Sequence, residues 1–146
     1  MKYLNLAFMT IASFISMYIL MYIMVNEYAN VYPNLNQIYM AGVMTMPMMI
    51  FELLFMRSMY DNKKLNNIIM SMSLVLFIML IFFIRKQTAI SNKEFLKSMI
   101  PHHASAILMC EQSAITDPEI EALCRQIVSS QQSEIDFMKA KLTQMQ

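Results

Sequence analysis

The chain contains a stretch without a charged side chain, LNNIIMSMSLVLFIMLIFFI, at residues 65–84. A helix needs about 20 predominantly apolar residues to cross the hydrocarbon core of a bilayer, and this stretch meets that requirement. Two other stretches do the same: residues 4–25, which also lack charges, and residues 38–60, which carry one acid and one base. The sequence therefore predicts three transmembrane helices within a region of residues 1–87.

The overall composition agrees with a protein whose main partner is a lipid bilayer. Hydrophobic residues make up 58% of the chain and charged residues 14%, whereas soluble domains average roughly 45–50% and about 25%. The formal net charge of +1 excludes a strongly basic surface that binds nucleic acid. The chain also holds 19 Met residues. Methionine fills irregular cores, but its thioether is also a soft ligand for Cu(I).

Most charged residues follow the third predicted span, where the pattern indicates a helical hairpin over residues 88–146. Ser91 followed by Glu94 is typical of a helix start, because the two residues can cap each other's backbone N–H groups. Asp117-Pro118 favours the start of a second helix, with the Asp as its cap. The short connection makes the two helices antiparallel neighbours. The predicted fold class is therefore all-α throughout.

The first helix of this hairpin contains Pro101, which lacks a backbone N–H and is expected to kink the helix. The carbonyl of Lys97 loses its usual hydrogen-bond partner as a result. The kink precedes the pair His102-His103, so it changes the direction in which those imidazoles point.

The distribution of basic residues predicts the orientation in the membrane, because short cytoplasmic loops carry an excess of Lys and Arg. Lys2 precedes the first span, and Lys63 and Lys64 lie in the second loop, whereas the first loop has neither Lys nor Arg. This places the N-terminus in the cytoplasm and the hairpin on the periplasmic or extracellular side. Arg85-Lys86 argues mildly for the opposite orientation. The expected location is a bacterial inner membrane.

The second span carries a possible ion-binding face. Met44, Met48 and Glu52 recur at a spacing of four and therefore share one face of a helix, which Pro47 is expected to kink. The Met-x-x-x-Met pair resembles the pore motif of Ctr-type copper transporters, although the third span lacks the glycines of that family's packing motif. One interpretation is a metal-ion path through the membrane. The other is a structural Glu52, paired with Arg57 or hydrogen-bonded to a neighbouring helix.

The hairpin brings imidazole, thioether and carboxylate groups close to one seam. Each helix has an inward stripe at helical spacing, formed by Leu96, Met99, His103, Ile107 and Cys110 in the first and by Ile120, Leu123, Cys124, Ile127, Gln131, Ile135, Met138 and Leu142 in the second. The residues with possible metal-binding chemistry are Met99, His102, His103, Met109, Cys110, Cys124, Gln131, Glu134 and Met138. Imidazole and thioether together suit copper, particularly Cu(I), while a carboxylate can orient an imidazole. The alternative is that His103 is a hydrogen-bonded core histidine and that His102 is exposed.

The two cysteines, Cys110 and Cys124, both lie about two turns from the tip of the hairpin. Three interpretations remain open: buried free thiols, a disulfide in an oxidising compartment, or thiolate ligands to a metal ion. A disulfide would stabilise the hairpin by roughly 3 kcal/mol.

The run MIPHHASAILM at residues 99–109 resembles the Met-Ile-Pro-His-His signature of the domain-of-unknown-function family 305. DPE at residues 117–119 and QQSEIDFM at residues 131–138 resemble two further motifs of that family. The likeness covers residues 91–144, and the three spans resemble the family's membrane-anchored branch.

The resemblance implies a ferritin-like hairpin that pairs into a four-helix bundle. Because this chain has one hairpin, the bundle would need a second copy, which implies a homodimer. Some periplasmic members are linked to copper binding and tolerance, and the residues that match their shared motif are Met99, His102, His103, Glu134 and Met138. Cys110 and Cys124 depart from the pattern, because many members have Ala or another small residue there.

The expected function is therefore that of a membrane-anchored protein that binds a copper ion for storage or tolerance. One alternative is a metal-ion transporter or channel subunit that uses Met44, Met48 and Glu52. A second alternative is a structural, oligomerising membrane protein without a metal. An enzyme is not expected, because the chain lacks the Glu-x-x-His motifs of di-iron proteins and every recognisable catalytic triad or phosphate-binding loop.

Overall fold

A computed structural model describes residues 2–145, and within this range all regular elements are helices. The first and last residues of the predicted domains, Met1 and Gln146, lie outside the described range. The helices are α1 (Lys2–Leu20), α2 (Leu35–Phe55), α3 (Lys63–Lys86), α4 (Asn92–Gln112) and α5 (Pro118–Gln144), with a short 3-10 helix at Tyr28–Asn30. The prediction of an all-α fold is confirmed.

The helices form two compact units. The membrane unit consists of the chain up to Met21 together with Asn36–Ala89, and the hairpin unit consists of Tyr22–Leu35 together with the chain from Ile90 onward. The sequence pattern separates the units close to the same place, after α3. It gives no sign that the first loop, Tyr22–Leu35, belongs with the hairpin.

In the membrane unit, α1, α2 and α3 are each long and apolar enough to cross a membrane. The first two end earlier than their apolar runs, at Leu20 and Phe55. The core of the unit contains the buried side chains Leu6, Leu53 and Tyr60. The chain's one glycine, Gly42, marks a close approach of α2 and α3, because a Cβ there would lie 2.7 Å from Leu80 Cδ1. Small residues allow such approaches between helices in membranes.

Both long helices of the hairpin unit begin where the sequence predicts. Ser91 Oγ accepts from the N–H of Glu94 at 3.3 Å. Asp117 Oδ1 accepts from the N–H groups of Glu119 and Ile120 at 2.9 and 3.1 Å, with Pro118 in the first turn. The core side chains are Ile100, Ala104, Ile107, Ile135, Met138 and Leu142.

The predicted inner stripe of α5 is wrong at its beginning, because Ile120 and Leu123 are 50% and 53% exposed. The buried face of α5 contains Ile135, Met138 and Leu142. At about 100° per residue, Leu123 lies roughly 120° away from Ile135 around the helix, whereas Ile120 lies at the same angle as the buried Met138, five turns later. The exposure of Leu123 therefore follows from its angle around α5, and that of Ile120 from its place in the first turn, near the tip of the hairpin.

The first loop packs onto α4 and supplies a donor for the carbonyl of Lys97. Val25 and Tyr32 contact the hairpin core. The side-chain amide of Asn34 donates to the carbonyl of Lys97 at 3.4 Å, which is the carbonyl that loses its helical partner to Pro101. An unpaired buried carbonyl costs free energy, so this contact gives the loop a specific docking position.

The carboxylate of Glu94 provides a second attachment for the loop. Its Oε2 accepts from the N–H of Leu35 at 2.9 Å, and its Oε1 accepts from Lys97 Nζ at 3.0 Å. Burial alone would raise the pKa of this carboxyl, but the hydrogen bonds from Lys97 and Leu35 outweigh it, and the pKa lies below its ordinary value of 4.5.

Acidification is expected to release the loop. Because the folded pKa of Glu94 is lowered, its contribution to stability is complete above pH 4.5 and is lost as the pH falls through the folded value. Glu94→Gln should therefore speed amide exchange in residues 22–35 at neutral pH and reduce the acid sensitivity of that exchange. Hydrogen exchange followed by mass spectrometry measures both effects, and equal exchange in the variant and the wild type would contradict this role.

Cys110 and Cys124 form a disulfide that joins the end of α4 to the start of α5, with their Cα atoms 5.3 Å apart. Of the three interpretations, the disulfide is therefore correct. Free thiols and thiolate metal ligands are wrong for the chain in this state, because the sulfur atoms are consumed in the bond between them.

Removal of the disulfide is expected to lower the stability of the hairpin unit by about 3 kcal/mol, since the bond closes a loop of 14 residues. For a unit of this size, the melting temperature of the variant Cys110→Ala/Cys124→Ala should fall by about 12 °C or more. Thermal unfolding in detergent measures the change. Identical melting curves before and after thiol reduction of the wild type would contradict the expectation.

Candidate metal centre

The centre of the candidate site is the imidazole of His103, which α4 directs toward α5. Its side chain is 8% exposed, and its Nε2 lies 2.7 Å from Oε2 of Glu134. Its Nδ1 lies 2.9 Å from the backbone oxygen of Met99, one turn earlier in the same helix. Both ring nitrogens therefore have a partner at hydrogen-bond distance.

Both partners of the imidazole of His103 are hydrogen-bond acceptors. A neutral imidazole carries a hydrogen on one nitrogen only, so it leaves one lone pair pointing at an oxygen. A metal ion at Nε2 would give that lone pair a partner. With Nδ1–H donated to a backbone carbonyl, the lone pair of Nε2 is free for a metal, and this is how metal-binding histidines are usually oriented.

Glu134 lies on the exposed rim of this site. Its side chain is 56% exposed, in contrast to the buried ring that it contacts. The sequence allowed the carboxylate two roles, as a metal ligand or as a group that orients an imidazole. The contact through Nε2 makes it a potential second donor beside the imidazole.

Within one chain, His102 and His103 do not form a single cluster of metal ligands. Its side chain is exposed, and the two ring centroids lie 6.0 Å apart in an edge-on arrangement. Neighbouring residues on a helix point about 100° apart, and Pro101 leaves α4 continuous across this region. His102 is thus available to a ligand or a partner that approaches from outside.

The remaining sulfur and amide candidates are distributed around the hairpin. Met138 is 6% exposed within the core cluster, and Met99 packs against that cluster. Met109 is 50% exposed, and Gln131 is half-buried on α5. The sequence predicted the thioether of Met99 as a ligand, but its backbone oxygen has the defined contact, which the spacing of four between residues 99 and 103 makes possible.

A metal ion needs more donors than one hairpin supplies. Within residues 2–145, three or more His, Cys, Asp or Glu side chains nowhere come together in a group that would hold a metal ion. One chain therefore offers an imidazole and a carboxylate, with thioethers close by in sequence. These groups could supply about half of the ligands of a metal site.

The transmembrane candidates do not form such a group either. Met44 and Met48 are 42% and 38% exposed on the outside of the membrane unit. Glu52 lies in the last turn of α2 and accepts a hydrogen bond from the hydroxyl of Tyr60 at 3.2 Å. Met44 and Met48 of the predicted common face point away from the unit's interior. The sequence allowed a pair with Arg57 or a hydrogen bond to a neighbouring helix, and the partner of Glu52 is instead Tyr60, in the loop that follows α2.

Comparison with known proteins supports the resemblance drawn from the motifs. A family model described as a domain of unknown function (DUF305) matches residues 83–142. An uncharacterized protein of Acanthamoeba polyphaga mimivirus is 32% identical over 137 residues, which cover 92% of this chain and 88% of the viral protein. No solved structure matches the chain. The chain therefore belongs to the DUF305 family, as a member with three helices long and apolar enough to cross a membrane.

Proposed function

We propose that this protein is a membrane-anchored metal-binding protein that holds copper outside the cytoplasm, for storage or tolerance. The observation that carries the proposal is the environment of His103. Its Nδ1 faces the carbonyl oxygen of Met99 and its Nε2 faces the carboxylate of Glu134. A buried imidazole beside a carboxylate is a donor pair that can hold a metal ion at Nε2.

Copper is the metal that best suits the surrounding residue types. Imidazole binds zinc, copper, iron and nickel, but thioether ligands select Cu(I) among them. Met99 is one turn before His103 on α4, and Met138 is one turn after Glu134 on α5. The proposed ligand set is Met99, His102, His103, Glu134 and Met138.

A second copy of the chain would complete the site. Ile120, Ile127 and Glu134 recur at a spacing of seven and so lie on one face of α5. Ile120 and the neighbouring Leu123 are half exposed along this face. Two hairpins that pair through it would bury these side chains and bring two imidazole–carboxylate pairs together. We therefore propose a homodimer with a four-helix bundle as the metal-binding form.

Two observations support a location outside the cytoplasm. The hairpin unit contains the disulfide Cys110–Cys124, and disulfides persist mainly in oxidising compartments. The basic residues Lys2, Lys63 and Lys64 favour a cytoplasmic position for the opposite ends of the spans.

The test is a Cu(I) titration of the full chain in detergent, in competition with a colorimetric Cu(I) chelator. The full chain is required because Tyr22–Leu35 is part of the hairpin unit. Ascorbate should keep the copper reduced, because a thiol reductant would open the disulfide and create artificial thiolate ligands. We expect one tightly bound copper ion per two chains.

The variant His102→Ala/His103→Ala should lose this binding while it keeps its helical content in circular dichroism. A folded wild-type protein that leaves all copper on the chelator would contradict the proposal. An assembly that forms identically in the double variant and without metal would favour the structural alternative.

A further inference from the structure

The membrane unit contains a polar cavity of about 480 Å³ where α2 ends and α3 begins. The loop between the two helices contributes Arg57, Ser58 and Asp61, and the start of α3 contributes Lys63 and Asn67. A loop between two candidate spans lies where the hydrocarbon core gives way to headgroups and water. The cavity is therefore placed at headgroup level.

The cavity has uncompensated positive charge. Its acid, Asp61, is already paired, because its Oδ2 lies 2.7 Å from Lys2 Nζ. Among residues 2–145, the ion pairs involve neither Arg57 nor Lys63. Two cations thus line the cavity without a counter-charge from the protein. The positive end of the α3 helix dipole adds to this field.

Apolar side chains form part of the cavity lining. Leu53 and Met70 are among its lining residues, and Leu53 is 1% exposed in the core of the unit. The wall is fixed by Asn66, which is buried, donates to the backbone oxygen of Tyr60 at 2.9 Å and accepts from the hydroxyl of Tyr3 at 2.8 Å. A ligand for this cavity should combine an anionic head with an apolar body.

We propose that this cavity binds the phosphate headgroup of an anionic phospholipid. Arg57 and Lys63 bind the phosphate oxygens, Ser58 and Asn67 offer hydrogen bonds to the polar headgroup, and the glycerol end of the acyl chains lies over Leu53 and Met70. Arginine and lysine are the usual partners of phosphate in proteins, and basic pockets at the ends of transmembrane helices recognise anionic lipid headgroups. The residues of this site belong to the membrane unit and His103 belongs to the hairpin unit, so the proposal does not rest on the metal site.

The test is native mass spectrometry of the full chain in detergent with phosphatidylglycerol or phosphatidylcholine. We expect phosphatidylglycerol to bind preferentially. The variant Arg57→Gln/Lys63→Gln should bind it about 10- to 30-fold more weakly, since each cation near anionic lipid contributes to affinity. The matched control is Arg85→Gln/Lys86→Gln, which removes the same charge from the other end of α3, about 35 Å away. This control should bind phosphatidylglycerol as the wild type does.

A second variant, Asn67→Glu, leaves both cations in place and adds an acid at the exposed rim, so it should weaken binding even if the double variant does not fold. Equal losses in the two double variants would overturn the proposal in favour of unspecific attraction between charges. Displacement of the lipid by millimolar inorganic phosphate would also overturn it, because the site would then take free phosphate. Binding of phosphatidylcholine with equal affinity would contradict the proposed selectivity.

Discussion

His103→Gln is expected to weaken Cu(I) binding to the full chain by at least about 100-fold. The loss of a group that merely orients a ligand costs 10- to 100-fold in metal affinity, and His103 is proposed to be the ligand itself. Glutamine keeps a polar side chain of similar length in a position that is 6% exposed, but its amide nitrogen has no lone pair for a metal. Competition with a Cu(I) chelator measures the change.

Two companion variants separate the roles of the neighbouring groups. Glu134→Gln removes the negative charge at Nε2 of His103 and should weaken binding about 10- to 100-fold. His102→Gln should have a smaller effect than His103→Gln, because the side chain of His102 is exposed. A greater loss in His102→Gln than in His103→Gln would contradict the assignment of the buried ring as the primary ligand.

The variant Ile120→Glu/Leu123→Glu is expected to be monomeric and, as a consequence, to lose tight copper binding. Both side chains are half exposed in one chain, so the substitutions should be tolerated in the monomer. In the proposed dimer they would bury four unpaired carboxylates, which is costly. The dimer dissociation constant should therefore rise by at least about 100-fold, as measured by analytical ultracentrifugation in detergent.

The matched control is Ser129→Glu/Ala140→Glu, which adds the same charge to exposed positions of α5. These two residues lie more than about 90° around the helix from Leu123. The control should remain dimeric and bind copper as the wild type does. Monomers that bind one copper ion each with wild-type affinity would refute the shared site.

The sequence was sufficient to predict the all-α class and both hairpin helix starts, because these follow from local signals. Ser91 and Asp117 cap N–H groups two or three residues later, and an apolar run consists of consecutive residues. The apolar runs predict ends of α1 and α2 that lie about five residues too late, because apolar residues can also form the turns that follow a helix. The place of Tyr22–Leu35 depends on contacts with α4 that are distant in sequence, so no local pattern could predict it.

The sequence predicted that His103 and Glu134 lie close together, but it predicted the rest of the candidate site's geometry only in part. The spacing on two helices brought His103 and Glu134 to one seam, and the structure has them in contact at 2.7 Å. The role of the Met99 backbone could not be read from side-chain chemistry. The outward direction of His102 and the disulfide of Cys110 and Cys124 depend on the rotation of each helix about its axis, which periodicity alone defines poorly.

The most direct test of the central claim is ¹⁵N NMR of the imidazole of His103 in the full chain, before and after one equivalent of Cu(I) per two chains. Cu(I) is diamagnetic, so the ring signals remain observable. The account predicts a ring with Nδ1 protonated toward the oxygen of Met99 and with Nε2 shifted by metal coordination. Ring signals of His103 that are unchanged by Cu(I), in a protein shown to be folded and dimeric, would contradict it.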